Sequence, residues 1–180
     1  MAKELIAFYS RADENYVSGT VQTLTIGNTE RVAKMIHELT GADLFKIEQL
    51  HPYAKRYNDC INEAQNDQRQ NARPALAALP KDFETYSVIY LGYPNYWSTM
   101  PMAVFTFLES LDCSGKTIVP FCTHEGSGLG KSAEDIRRLC PNSTVEEGLA
   151  IRGCCAARAK EAVQKWLGTS WAALHRNLRS

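Results

Sequence analysis

The stretch "YSVIYLGYP" (residues 86–94) decides the fold, because it is apolar along almost its whole length and rich in β-branched and aromatic residues. Such a run predicts a strand that is buried on both faces, since a strand with one wet face would alternate. Two further runs have the same character, "ELIAFYS" (4–10) and "KTIVPFCT" (116–123). Strands of this kind belong to parallel sheets that helices cover on both sides, so the sequence predicts an α/β fold.

The remaining segments alternate between strands and helices. "DLFKIEQL" (43–50) alternates like a strand with one buried face, and "TVEEGLAI" (144–151) indicates a broken strand. Helices are predicted in the segments 28–41, 58–72, 102–111, 132–140 and 156–168. Their expected boundary residues are Gly41 and Gly168 as C-terminal caps, Pro101 near one start and Ser132 as an N-cap. The pattern predicts one doubly wound domain over residues 1–168 and a tail at 169–180.

Composition excludes several classes of protein. Hydrophobic residues make up 44% and charged residues 22% of the 180 residues, which is typical of a globular protein. The 20 basic and 20 acidic side chains give a net charge of zero, which argues against a nucleic-acid partner. No apolar run is long enough to span a membrane and the N-terminus does not resemble a secretory signal, so we expect a cytoplasmic protein.

The six cysteines contain no C-x-x-C pair, so the sequence supports neither a zinc site nor a thioredoxin-like motif. We expect no bound metal. The adjacent pair Cys154–Cys155 is unusual, but a disulfide between neighbours is strained. The favoured interpretation is that all six cysteines are small buried hydrophobic residues in a reducing compartment.

In a doubly wound sheet the ligand binds beyond the carboxyl ends of the strands, so the loops after the predicted strands carry the functional signal. After the first strand come Ser10 and, past a long insertion at 11–26, the helix start "GNT" (27–29). Free backbone N–H groups at such a start favour a phosphate, and a monophosphate fits because no Lys and magnesium-binding pair is present. The alternative is that Asn28 or Thr29 only caps the helix.

Two further loops favour a flat ligand. "PNYWST" (94–99) places large aromatic side chains among polar ones, which suits stacking on a heterocycle at the mouth of a cleft. "THEGSGLGKS" (123–132) resembles a triphosphate-binding loop, but Glu125 stands where that motif needs its first glycine. Its glycines instead let the backbone approach a planar ligand closely. His124 is interpreted as a contact to this ligand or as a structural residue.

Together, "YS…GNTE", "LGYPNYWSTMPMAVFTFLE" and "PFCTHEGSGLGKS" resemble the flavodoxin superfamily, and within it a short-chain, flavodoxin-like branch. The resemblance covers about residues 4 to 167. It implies an open five-stranded parallel sheet of order 2-1-3-4-5 with helices on both faces, and one non-covalently bound FMN. Carried over by position, it implies the following cofactor-binding residues: Ser10, Arg11, Gly27, Asn28 and Thr29 around the phosphate; Pro94, Asn95, Tyr96, Trp97, Ser98 and Thr99 beside the ring; and Thr123, His124, Glu125, Gly126, Ser127 and Gly128 along the pyrimidine edge.

The chain departs from the family pattern in two respects. The hydroxyl-rich loop of flavodoxins is interrupted here, so Thr23 and Thr25 compete with Ser10 for the phosphate, and Ser10 is favoured because it directly ends the strand. Flavodoxins are typically acidic, which steers them onto basic partners, whereas the net charge here is zero. The second departure shifts weight toward an enzyme.

Three functions are compatible with these features. The first is an electron carrier that uses FMN to exchange electrons with a redox partner protein. The second is a small FMN-dependent NAD(P)H reductase of quinones or similar small acceptors, in which His124 or Tyr96 orients substrate or donates a proton. The third is a binding module that has lost the cofactor. In the tail, Trp171, Leu174 and Leu178 form an apolar stripe that would pack on the domain or on a second subunit of a homodimer, or would fray.

Overall fold

The computed structural model describes the backbone of residues 2–176 and the side chains of residues 2–170. The strands are β1 (Lys3–Phe8), β2 (Asp13–Val17), β3 (Thr20–Leu24), β4 (Asp43–Lys46), β5 (Tyr86–Pro94), β6 (Thr117–His124), β7 (Thr144–Val145) and β8 (Leu149–Arg152). The α-helices are α1 (Asn28–Thr40), α2 (Tyr57–Arg69), α3 (Met102–Glu109), α4 (Ser132–Leu139) and α5 (Lys160–Arg176). Short 3-10 helices lie at Phe83–Thr85 and Gly153–Arg158.

The main sheet is parallel and has the order β4-β1-β5-β6-β7, and β8 also pairs with β6. Since β7 and β8 are two pieces of one broken strand, this is the predicted five-stranded order 2-1-3-4-5, which is confirmed. The chain moves outward from β1 to β4 and then crosses to β5 on the other side of β1. The strand order therefore reverses between β1 and β5, where doubly wound folds bind their ligands.

The central strands β1, β5 and β6 are buried on both faces, which explains the continuous apolar runs that predicted the sheet. On one face α1 and α5 pack through residues such as Val32, Ile36 and Trp166. On the other face α3 contributes Phe105 and Phe107 and α4 contributes Ile136. The predicted cap of α1 is confirmed, because Gly41 has a φ of 74° and its N–H donates to the carbonyl oxygen of His37.

Three predictions about local structure are wrong. Ser132 is not an N-cap: it is the first residue of α4, and its buried hydroxyl donates to the carbonyl oxygen of Leu129. The last helix does not end at Gly168 but continues to Arg176. Cys154 and Cys155 are exposed, although the other four cysteines are buried as expected.

The segment 11–26 contains an antiparallel hairpin that the sequence interpretation did not anticipate. β2 pairs with β3 through a two-residue turn at Ser18 and Gly19, whose φ angles are 52° and 89°. Positive φ at both turn residues matches the right-handed twist of a hairpin. The proposed stripe at Trp171, Leu174 and Leu178 lies outside the described side chains. None of the helices described is both long and apolar enough to cross a membrane.

Candidate functional site

A cavity of about 370 Å³ opens at the carboxyl ends of β1, β5 and β6, where the strand order reverses. Its volume lies within the range of small-molecule sites. The residues that line it are Ser10, Arg11, Asn15, Tyr16, Asn28, Thr29, Tyr57, Cys60, Ile61, Ala64, Pro94, Asn95, Tyr96, Trp97, Ser98, Thr123, His124, Glu125, Ser127 and Gly153. The cavity thus combines the three predicted loops with the β2–β3 hairpin, which lies in the long 11–26 insertion that we expected to carry function, and with α2, which was predicted only as an exposed helix.

The first corner of the cavity is formed by Ser10 and the start of α1. The chain leaves at Ser10 and returns at Gly27 in close contact, because a Cβ at Gly27 would lie 2.2 Å from Ser10 Oγ. Ser10 Oγ accepts a hydrogen bond from the N–H of Glu30 at 3.0 Å, so its own hydroxyl hydrogen remains available to an acceptor in the cavity. Gly27 provides no side-chain cap for the helix. This corner therefore presents hydrogen-bond donors at the positive end of α1.

Behind this corner, Thr29 and Thr123 join α1 to the end of β6. Their hydroxyl oxygens lie 2.7 Å apart, and both residues are buried. Two hydroxyl groups carry two hydrogens, and the bond between the threonines uses one of them. The other hydroxyl hydrogen is therefore available to donate to a further acceptor.

The loop at 94–99 turns tightly at Trp97 and Ser98, which have φ angles of 54° and 71°. The N–H of Tyr96 donates to the carbonyl oxygen of Thr99 across this turn at 2.8 Å. The Trp97 side chain is 43% exposed, and its Nε1 donates to the carbonyl oxygen of Ile61 in α2. Left-handed backbone at residues other than glycine is costly and is concentrated at functional sites.

Tyr96 turns its hydroxyl away from solvent. Its ring packs edge-on against that of Tyr9, with ring centres 6.1 Å apart. Burial raises the pKa of the Tyr96 hydroxyl well above its ordinary value, and Tyr9 and Cys60 add to the shift. The phenol therefore remains protonated at neutral pH.

Asn95 connects the aromatic loop to the glycine-rich loop after β6. Its Nδ2 donates to the carbonyl oxygen of Gly128 at 2.8 Å, and its Oδ1 accepts from the N–H of Ser98 at 3.0 Å. The N–H of Lys131 donates to the carbonyl oxygen of Ser98 at 2.7 Å. These bonds hold the two loops together as one wall of the cavity.

In the glycine-rich loop, His124 is fixed in one tautomer. Its Nδ1 faces the N–H of Gly126 at 2.9 Å and accepts a hydrogen bond from it, which places the ring proton on Nε2. Burial lowers the pKa of His124, and the guanidinium of Arg152 lowers it further. The imidazole is therefore neutral at physiological pH.

The β2–β3 hairpin lies along one side of the cavity. It contacts α2 on one side and the glycine-rich loop on the other. On one side, Glu14 Oε2 accepts from the N–H of Tyr57 at 2.7 Å, and the ring of Tyr16 stacks on that of Tyr57. On the other side, the N–H of Ser18 donates to Glu125 Oε2 at 3.0 Å. The hairpin thereby bridges from α2 to the glycine-rich loop.

Arg11 lines the cavity but is largely engaged by the protein. Its guanidinium donates to the backbone carbonyl oxygens of Glu14, Ala54 and Lys55, the second at 2.7 Å. These bonds tie the base of the hairpin to the segment before α2. The structure thus gives Arg11 a role in positioning the hairpin.

Four of the predicted site residues do not line the cavity: Gly27, Thr99, Gly126 and Gly128. The three glycines act through the backbone positions described above. Thr99 is buried, and its hydroxyl donates to Asp135 Oδ2 at 2.6 Å. Thr23 and Thr25 are exposed and also do not line the cavity, whereas Ser10 does.

The sequence interpretation missed the cavity residues on the hairpin, on α2 and at Gly153. A signal for α2 exists, since its cavity residues Tyr57, Cys60, Ile61 and Ala64 recur at the spacing of one helix face within an otherwise polar segment. The hairpin is indicated by two alternating stretches around Ser18–Gly19. Within the described residues there is no group of three or more His, Cys, Asp or Glu side chains that could hold a metal ion.

Comparison with known proteins gives consistent results. A family model described as flavodoxin matches residues 21–170. A protein from Bacteroides eggerthii, assigned as a flavoprotein, is 27% identical over 94% of this chain and 98% of its own, with a TM-score of 0.76. A flavoprotein from Lactobacillus acidophilus, solved in complex with FMN, is 18% identical over 92% of this chain and 99% of its own, with a TM-score of 0.65, and shows the shared fold. No curated protein matches the chain.

Proposed function

Because the chain belongs to the flavodoxin family, we propose that it binds one FMN non-covalently in this cavity and transfers electrons through it. The proposal rests on one observation: the cavity at the reversal of strand order has walls of two different chemical kinds. One corner presents hydroxyl and backbone donors at a helix start, and the opposite walls are aromatic or glycine-rich. A phosphate ester of a flat heterocycle needs both.

The residues of the cavity fit a monophosphate and not a triphosphate. Lys131 is exposed, and the Ser132 hydroxyl is occupied by Tyr93 and Leu129, so neither acts as in a triphosphate loop. Ser10 and the free N–H groups at the start of α1 would hold the single phosphate. FMN, when bound, supplies the redox chemistry, and the protein supplies binding, orientation and electrostatics. The FMN complex of the Lactobacillus acidophilus flavoprotein, which has the same fold, supports this choice of cofactor.

The direct test is to add FMN to protein that has been stripped of cofactor and to follow flavin fluorescence and visible absorption. We expect one FMN per chain, quenched fluorescence and a shifted flavin band. Protein that stays colourless and leaves FMN fluorescence unchanged would show that the chain is a binding module without cofactor. This outcome would end both redox proposals.

The phosphate position is tested by two matched variants. In Ser10→Ala the hydroxyl that faces the cavity is lost, so FMN affinity should fall by about 1–2 kcal/mol, or roughly 5- to 30-fold in Kd. In Thr25→Ala the lost hydroxyl is exposed and lies outside the cavity, so the Kd should stay unchanged. The reverse pattern would place the phosphate at Thr25.

A reductase is the second candidate, and the β2–β3 hairpin favours it. The hairpin and α2 bring Tyr16 and Tyr57 together beside the cavity, which provides an aromatic surface for a small acceptor. The formal net charge of zero also provides no net attraction to a partner protein of either charge sign. Steady-state NAD(P)H oxidation with a quinone distinguishes the two functions. The reductase proposal requires Tyr16→Ala to lower turnover when FMN is saturating, and no turnover with any acceptor would leave only the carrier.

A further inference from the structure

Cys154 and Cys155 are a pair of exposed thiols that the proposed flavin chemistry does not use. They lie in the 3-10 helix Gly153–Arg158, directly after β8. Their sulfur atoms are 3.6 Å apart, and neither residue lines the cavity. The other four cysteines are buried. The pair is therefore an accessible dithiol that adjoins the candidate flavin site at Gly153 but does not line it.

The distance between the two sulfur atoms favours a bridging atom over a direct bond. A disulfide requires the sulfurs to approach to about 2.05 Å, so the two thiols at 3.6 Å are an unbonded, reduced pair. Two sulfurs bound to one central atom through bonds of about 2.3 Å lie roughly 3.4–3.8 Å apart. The observed separation of 3.6 Å falls in that interval.

The surrounding backbone holds the pair in this arrangement. Gly153 and Ala156, on either side of the cysteines, are buried. The side chains of Glu125 and Asn28 pack closely on Gly153, because a Cβ there would lie 2.3 Å from Glu125 Oε1 and 2.7 Å from Asn28 Nδ2. β8 is itself paired with β6 from Leu149 to Arg152. A dithiol on such a fixed base is preorganised for a chelated ligand.

The charges and ligands nearby decide which central atom fits. No further His, Cys, Asp or Glu completes a metal site with these cysteines within the described residues. The charged groups that act on Cys155 are the two arginines Arg152 and Arg158, and their positive charge opposes a divalent cation. A neutral ligand that needs only two thiols meets neither obstacle.

We propose that Cys154 and Cys155 form a chelating site for a trivalent arsenical that carries one organic substituent and two exchangeable hydroxyl groups. Two As–S bonds form and two As–O bonds break. Each leaving hydroxyl takes one thiol proton and departs as water. Arsenic remains trivalent, so the step needs no oxidant or reductant.

The protonation of the pair supports a neutral ligand. The hydrogen bond between the thiols raises the pKa of Cys155, and the two arginines lower it by less. A divalent cation must displace thiol protons, so its binding is weakened when the thiols hold them. The exchange of hydroxyl for thiol incorporates these protons into water and carries no such penalty.

The test uses phenylarsine oxide with the full-length protein, stripped of flavin and kept reduced. We expect one arsenical per chain by intact mass, with the loss of two thiols that react with a chromogenic disulfide reagent. Cys154→Ser and Cys155→Ser should each weaken binding by about 100-fold or more, because the second bond is intramolecular in the wild type. Ethanedithiol should release the arsenical, and an equal concentration of monothiol should not.

Cys113→Ala provides the matched control, since it removes one thiol of a buried hydrogen-bonded pair with Cys140. It should bind phenylarsine oxide like the wild type. Equal binding by the wild type and both serine variants would overturn the proposal, as would tighter binding of Cd²⁺ than of the arsenical at neutral pH. Because these readouts need no flavin, they are independent of the proposed function.

Discussion

At the scale of single residues, Gly128 and Gly130 look equivalent in sequence but differ in their surroundings. Both have positive φ angles, 59° and 54°. A Cβ at Gly128 would meet nothing within 4 Å, whereas a Cβ at Gly130 would lie 2.2 Å from the carbonyl oxygen of Ser98. That oxygen belongs to backbone in the aromatic loop and accepts from the N–H of Lys131. The aromatic loop and the glycine-rich loop can therefore contact each other here only because residue 130 has no side chain.

This difference gives a matched pair of variants. Gly128→Ala should lower the free energy of unfolding by about 1 kcal/mol, the cost of a left-handed conformation for alanine. Gly130→Ala should lower it by a further 1–3 kcal/mol or so, because the backbone of Ser98 must move. Urea unfolding of both variants measures the difference. Equal losses would mean that the loops are not in the contact described.

His124 predicts how the glycine-rich loop responds to acid. Its pKa is lowered by burial and by Arg152, so the unfolded chain binds a proton more readily than the folded one. Stability and loop order should therefore be fully present above the unfolded pKa of about 6.5 and decrease as pH falls through the lowered folded value. Protonation of Nδ1 also removes the acceptor for the N–H of Gly126.

The measurement is the free energy of unfolding between pH 8 and pH 5 for the wild type and for His124→Gln. The variant should show a flatter profile in the range just below pH 6.5, since its amide does not titrate. His51→Gln is the control, because His51 is exposed and distant in sequence. Identical profiles for the wild type and His124→Gln would mean that the pKa of His124 is not lowered in the folded chain.

At the scale of elements, the strands that could be predicted from the sequence are those whose side chains are buried along almost their whole length. β1, β5 and β6 are buried on both faces, so their composition alone identified them and the parallel sheet. α2 was predicted as an exposed helix because most of its residues are polar, yet Cys60 and Ala64 are buried in it. Its cavity face is covered by the hairpin and by Trp97, which are contacts between distant segments. Such contacts leave little trace in local composition.

Glu14 illustrates how one side chain joins two elements. Its carboxylate accepts from the first N–H of α2 at 2.7 Å, in the place of an N-cap that Arg56 does not provide. Glu14→Ala should lower the free energy of unfolding by about 1 kcal/mol, as expected for the loss of a cap. It should also speed hydrogen exchange in β2 and β3, because one attachment of the hairpin is lost.

Glu48→Ala serves as the control for this variant. Glu48 lies on the surface and pairs only loosely with Lys46, at 3.7 Å, so its removal should change stability little. Unchanged exchange in the hairpin of Glu14→Ala would mean that the remaining attachments, through Arg11, the Tyr16–Tyr57 stack and Glu125, hold the hairpin without the Glu14 carboxylate. Combining Glu14→Ala with Glu125→Ala then measures whether the two carboxylates act independently.

At the scale of the whole molecule, the cavity lies where the strand order of the sheet reverses, between β1 and β5. β1 and β5 are neighbours, yet the chain visits β4 and α2 between them. This crossing leaves a crevice at the carboxyl ends of β1 and β5, which α2 and the β2–β3 hairpin flank. Ser10, Pro94 and Thr123 then follow or end three adjacent strands and meet at its edge. The sequence could predict these positions because a parallel sheet aligns its carboxyl ends, whereas the roof over them depends on the inserted hairpin.

A ligand held by residues from all these segments should stabilise the entire domain. FMN that binds only the folded chain adds about 2.7 kcal/mol at a concentration of 100 times its Kd, which corresponds to a rise in Tm of roughly 5–10 °C for a domain of this size. Riboflavin has the same ring but no phosphate, so at the same concentration it should raise Tm much less. In Ser10→Ala the difference between the Tm increases caused by FMN and by riboflavin should become smaller, because Ser10 would contact only the phosphate. Equal shifts with FMN and riboflavin in the wild type would show that the ring alone accounts for binding and that the start of α1 does not hold a phosphate.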